Sequence, residues 1–137
     1  IASGATLTLN TNYVEGTIAE NLAYGNYSLS ETFTGNYWIN GAKIYRKVID
    51  FGYGPNNNSK EVNTELLNSI NCIKIEGIAT SPSGTVIPVP YVTPIDHNYD
   101  VGIYLYNKNG YKTISLYSQQ NHSSDYFYII IEYTKTT

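Results

Sequence analysis

The stretch Tyr126-Phe127-Tyr128-Ile129-Ile130-Ile131-Glu132-Tyr133-Thr134 sets Phe127, Ile129, Ile131 and Tyr133 at alternate positions. A period of two is that of a β-strand, so these four side chains fall on one face. Ile130 on the opposite face predicts a central strand covered on both sides. Upstream, Tyr111–Tyr117 puts Ile114 and Leu116 on a core face. Asp100–Asn107 puts Val101, Ile103 and Leu105 on one face and Tyr104 and Tyr106 on the other, and Lys108-Asn109-Gly110 turns the chain between these two runs.

The same reading extends towards the start of the chain. Cys72–Thr80 is expected as a strand with Ile73, Ile75 and Gly77 inward. Thr85–Tyr91 carries Pro88 and Pro90, which lack the N–H a central ladder position needs, so it reads as an edge or irregular extended segment. Ala5–Leu9 alternates, a further run covers Tyr27–Phe33, and another leads from Tyr37 into Ile39. Asn40-Gly41 predicts a type I′ hairpin turn into a long strand, Ala42–Gly52. There the adjacent pairs Ile44-Tyr45 and Val48-Ile49 predict a bulge or burial on both faces. Residues 53–59 read as a loop on composition, and Lys60–Leu67 as a strand or a short helix. No segment sustains a 3.6-residue period. The expectation is a single all-β domain over residues 1–137, an antiparallel β-sandwich of jelly-roll-like form. Residues 1–26 are expected as an N-terminal arm or a connection to an upstream region.

Composition narrows the function classes. The 137 residues carry a net charge of −3, with a pI near 5.2. Scattered Lys and a single Arg argue against a nucleic-acid partner, which would need a basic patch. No apolar run approaches the ~18 residues of a membrane span. The single cysteine, Cys72, allows no intrachain disulfide and reads as a small buried hydrophobe. The Ile1 start and the absence of Met are those expected of a fragment or processed product.

Catalytic and metal-binding patterns are sparse. His97 and His122 lie in polar segments with Asp96 and Asp125 nearby, but their spacing matches no metal-ligand motif. Asp50, Glu76, Asp96, Asp100 and Glu132 are the carboxylates a glycoside hydrolase would draw on, and Glu76 and Glu132 point away from the core by parity. No nucleophile elbow or phosphate-cradling loop occurs. The expectation is a domain that is not an enzyme and takes no cofactor or metal. The fifteen tyrosines are more informative. Tyr104, Tyr106, Tyr126 and Tyr128 face away from the core by parity, and exposed Tyr rings suit sugar stacking or protein contact. With Asn57, Asn121 and His122 from amide-rich loops, they form the candidate receptor-binding set.

One longer pattern goes further. Trp38-Ile39-Asn40-Gly41-Ala42-Lys43-Ile44-Tyr45-Arg46-Lys47-Val48-Ile49-Asp50-Phe51-Gly52 is followed by Pro55-Asn56 and Lys60-Glu61-Val62, then Ile87-Pro88-Val89-Pro90-Tyr91, and the chain ends Glu132-Tyr133-Thr134-Lys135-Thr136-Thr137. Over residues 30–137 this series resembles the C-terminal domains of bacteriophage and prophage tail fibres and related virion appendages. It departs from their pattern at Asn40, at Ala42-Lys43 and at Asn68-Ser69. The resemblance implies a distal appendage domain of the virion, a homotrimer, that attaches to a host cell-surface glycan or protein. The alternative within the same resemblance is a structural trimerisation, capsid-fibre or maturation domain without a ligand of its own.

Overall fold

The computed structural model describes residues 25–136. The strand expected at Ala5–Leu9, and nearly all of the arm expected at residues 1–26, lie outside these. Eight strands follow in order: β1 (Thr32–Tyr37), β2 (Lys43–Tyr53), β3 (Asn56–Leu67), β4 (Asn71–Thr80), β5 (Val86–Val89), β6 (Val101–Lys108), β7 (Tyr111–Asn121) and β8 (Tyr126–Thr134), with a 3₁₀ turn at His97–Tyr99. They form two antiparallel sheets, β1-β2-β8-β4-β5 and β3-β7-β6. The all-β sandwich read from the alternation is therefore the fold.

β8 lies between β2 and β4, as its apolar content predicts. Phe127, Ile129, Ile131 and Tyr133 are completely buried, and they meet Ile114, Leu116, Leu66 and Val101 from the other sheet. The opposite face of β8 is only partly covered, with Ile130 half-buried and Tyr128 exposed. The chain order gives the jelly-roll character. β2 pairs with β8 in one sheet, while β3 pairs with β7 in the other. The segments β2–β3 and β7–β8 thus run as one double ribbon from sheet to sheet. Three hairpins inside single sheets, β1–β2, β4–β5 and β6–β7, depart from a full jelly roll.

Several local expectations change. The runs at 27–33 and 37–39 give way to one strand, β1, interrupted between Phe33 and Tyr37. There Thr34 is buried, and its hydroxyl donates to the Ile44 carbonyl at 2.8 Å while accepting from the Asn36 N–H. The β1–β2 hairpin exists, but its loop has three residues. Trp38 N–H donates to the Ala42 carbonyl, Gly41 N–H donates to the Trp38 carbonyl, and of the loop residues only Gly41 has positive φ, +82°. The type I′ geometry belongs to Asn109-Gly110 instead, where φ is +53° and +87°.

The loop expected over 53–59 shrinks to Gly54 and Pro55, because the β3–β7 ladder extends to Asn56↔Asn121. Lys60–Leu67 is strand throughout, and Gln119–Asn121 belongs to β7 rather than to a loop. In β4, a bulge between Cys72 and Lys74 shifts the parity. Cys72 takes the core-packing position expected of Ile73, and Ile75 and Gly77 point inward as read. Burial pushes the Cys72 thiol pKa up. β5 is an edge strand, where Pro88 costs no ladder bond.

Gly77 faces Ile129 across the β4–β8 ladder with almost no gap. A Cβ there would lie 2.6 Å from Ile129 Cδ1 and 2.6 Å from the Tyr128 carbonyl oxygen. Gly77→Ala is therefore expected to destabilise the domain by about 1–3 kcal/mol through overpacking. The measurement is urea unfolding with an unchanged slope. A midpoint equal to that of the native chain would contradict this packing.

Candidate functional site

The seven candidate residues separate into two places. Tyr104 and Tyr106 lie on the outer face of the three-stranded sheet, on β6. Tyr126 and Tyr128 lie on the outer face of the five-stranded sheet, on β8. These are the two opposite sides of the sandwich, so the four tyrosines cannot close on one small ligand. Asn57, Asn121 and His122 gather at the end of the sandwich where Tyr53 pairs with Tyr126. There the β2–β3 and β7–β8 turns lie side by side, and His122 N–H donates to the Pro55 carbonyl.

At that end the polar residues mostly serve the turns. His122 Nδ1 lies 2.7 Å from Asp125 Oδ2, and its ring packs edge-on against Phe127. Its side chain is 12 % exposed, and Nε2 is buried without a partner. Asn121 Oδ1 accepts from the N–H and the hydroxyl of Ser123. Asn57 is exposed in the irregular start of β3, with φ of +49°. His122 also borders a mainly apolar cleft of about 330 Å³ lined by Ile87, Tyr91, Ile95 and Tyr99. Asn57 is thus exposed and Asn121 keeps one amide end open, while His122 works chiefly as a brace.

The outer face of the five-stranded sheet carries an aromatic row. Tyr53 meets Tyr126 edge-to-face at 5.2 Å, and Tyr126 meets Tyr128 at 5.3 Å. Tyr126 OH donates to Asp50 Oδ1 at 2.5 Å, which fixes the middle ring. Tyr53 and Tyr128 are 56 % and 40 % exposed. Across β4 and β5 the row continues through exposed Ile78, opposite Tyr128, and exposed Val86, opposite Thr80. The sequence reading missed Tyr53, because it fell in a presumed loop and because the bulge between Asp50 and Gly52 resets the strand parity. The Gly within Asp50-Phe51-Gly52-Tyr53 is the signal that marks such a bulge.

The outer face of the three-stranded sheet is more polar. Tyr104 and Tyr106 rings lie 5.6 Å apart. Tyr106 OH and Lys108 Nζ both donate to the Glu61 carboxylate, which holds that group below its usual pKa and raises those of Tyr106 and Lys108. Buried Ser115 lies between Tyr104 and Glu61, its hydroxyl without a partner.

Among the described residues, no group of three or more His, Cys, Asp or Glu is placed to hold a metal ion, and no helix is long and apolar enough to cross a membrane. No protein-family model, curated protein or solved structure matches the chain.

The tether from Tyr126 to Asp50 has a pH consequence. Accepting from the phenol, the carboxylate pushes the Tyr126 pKa up to about 12 from 10.0. A raised folded-state pKa adds stability below the unfolded value, and that stability is lost as pH rises through the folded one. The loss from Tyr126 is thus expected between about pH 10 and pH 12. In Tyr126→Phe this part of the alkaline stability decline should flatten, and one late-titrating phenol should vanish from the tyrosinate absorbance curve. A Tyr126→Phe titration curve that differs from the native one only by a phenol of ordinary pKa would refute the tether.

Proposed function

We propose that this domain is a recognition module of a phage tail fibre or related virion appendage, attaching to a polyhydroxylated ligand on the host surface and supporting trimeric assembly. The observation that carries the reading is the Tyr53–Tyr126–Tyr128 row, three adjacent rings on a rigid sheet with the middle one tethered. Ring faces offer flat apolar area to the C–H side of a sugar, and the hydroxyls at their edges offer hydrogen bonds. A ring already held in place loses little freedom on binding, which favours affinity. The resemblance of residues 30–137 to virion appendage domains supports the biological setting.

A second reading is assembly alone. Its support is the extension of the row over exposed Ile78 and Val86, since aromatic and aliphatic side chains on one flat face also suit a subunit contact.

Binding of the native chain to bacterial cells and to arrayed bacterial surface glycans tests the first reading. Tyr53→Ala and Tyr128→Ala are each expected to weaken attachment, by up to about tenfold per ring. Sedimentation of the same variants separates the two readings. Loss of attachment with the oligomeric state intact supports recognition. Dissociation into monomers, or attachment indifferent to both substitutions, favours assembly and overturns recognition through this row.

A further inference from the structure

Two of the stretches that carry the appendage resemblance, those around Asn40 and Lys135, meet in space, away from the tyrosine row. The β1–β2 loop, the start of β4 and the segment after β8 enclose an open groove of about 720 Å³, bordered by Asn40, Asn71, Lys135 and Thr136. A smaller hollow beside it is bordered by Lys43, Tyr45 and Lys135. Tyr45 is the one ring that borders it, packed behind against Phe33 at 5.9 Å and Tyr133 at 6.1 Å. Lys43 Nζ lies 5.0 Å above the Phe33 ring, and Lys135 Nζ lies 4.4 Å above the Tyr45 ring.

The chemistry of this groove is one of donors. Lys135 and Tyr133 OH both donate to Glu31, and Tyr133, buried beneath, has its pKa raised by burial and by that bond. Lys43 has no carboxylate partner among the described residues. Asn40 Oδ1 accepts from the Ala42 N–H, which leaves its amide NH₂ as the open end, and the Asn71 side chain has no partner among the described residues. Among the described residues no carboxylate borders either hollow directly, but Glu31 offsets the charge of Lys135, so Lys43 is the uncompensated cation.

We propose that this groove holds an anionic saccharide, with Lys43, the lysine that has no carboxylate partner, taking the acidic group and Asn40 and Asn71 the hydroxyls. A lone anion would need only Lys43, whereas the flanking amides suit a sugar that bears the charge. The inference rests on the reading of the domain as a surface-recognition module and adds a second contact to it.

Calorimetric titration of the native chain with three polymers and one ion provides the test. The probes are an oligogalacturonate, a sugar-phosphate polymer, a neutral galactose oligomer of matched length, and inorganic phosphate. At least one anionic polymer should bind, with Lys43→Gln weakening it about tenfold and Lys43→Arg restoring most of the loss. Which of the two binds distinguishes a carboxylate source from a phosphate source. Failure of both polymers, indifference to Lys43→Gln, or equal affinity for inorganic phosphate or for the neutral oligomer would overturn the proposal. Tyr128→Ala should leave this binding unchanged. Cell attachment that depends on Tyr128 but not on Lys43 would overturn the groove while leaving the aromatic row standing.

Discussion

The domain depends on the double ladder of β8 with β2 and β4. Four side chains of β8 are wholly buried, each stabilising the fold by about 1.5–3 kcal/mol. A one-residue slip in either ladder would send all four to the outer face, so register and core are set together. The neighbours are shaped to suit. Gly77 stands opposite Ile129 and Ala79 opposite Phe127, giving the large residues of β8 room on the β4 side. On the β2 side, Lys47 stands opposite Ile131. Its stem lies along the interior while its ammonium reaches the Thr64 carbonyl of β3 at 3.0 Å, so an inward lysine links the two sheets.

Where strict alternation holds, the fold can be read from the chain. Phe127 to Tyr133, Val101 to Leu105 and Ile114 to Leu116 all point where their parity says. The misreadings cluster at irregular positions. The bulge at Cys72–Lys74 exchanges Ile73 for Cys72, and the one at Asp50–Gly52 moves Tyr53 onto the outer face. The polar start of β3, Asn56-Asn57-Asn58-Ser59, has the composition of a loop and becomes strand through its ladder to β7, a long-range pairing that outweighs weak local preference. Asn40-Gly41 and Asn109-Gly110 are the same dipeptide in different turns. The bond from Trp38 N–H to the Ala42 carbonyl closes a three-residue loop in the first, whereas Lys108 pairs directly with Tyr111 in the second.

The candidate site was less legible for a related reason. Parity shows that Tyr104, Tyr106, Tyr126 and Tyr128 leave the core, but not that β6 and β8 belong to different sheets. That depends on pairings such as Asp50↔Tyr128 and Glu61↔Ser115, made between strands far apart in the chain. The groove at Lys43 and Lys135 is hidden in the same way, since its two lysines come from opposite ends of the described chain. His122 lies in a polar stretch, yet its contact with Phe127 and its bond to Asp125 draw it inward.

Both outer faces use one device, a tyrosine tethered to a carboxylate beside tyrosines that are not. Tyr106 is tied to Glu61 next to Tyr104, and Tyr126 to Asp50 between Tyr53 and Tyr128. A tethered hydroxyl is spent, so that ring presents a fixed surface, while its neighbours keep a hydroxyl for a ligand. What differs is the surroundings. On the three-stranded sheet, Lys108 and Glu61 put two full charges beside the rings, and a ligand would have to strip water from both, whereas on the five-stranded sheet Asp50 is the carboxylate beside the row. On the five-stranded sheet the rings run on into Ile78 and Val86, whose apolar surface gains from being covered. The same tyrosine geometry therefore favours contact on one face and solvation on the other, which is why the row on β2 and β8 is the face assigned to recognition.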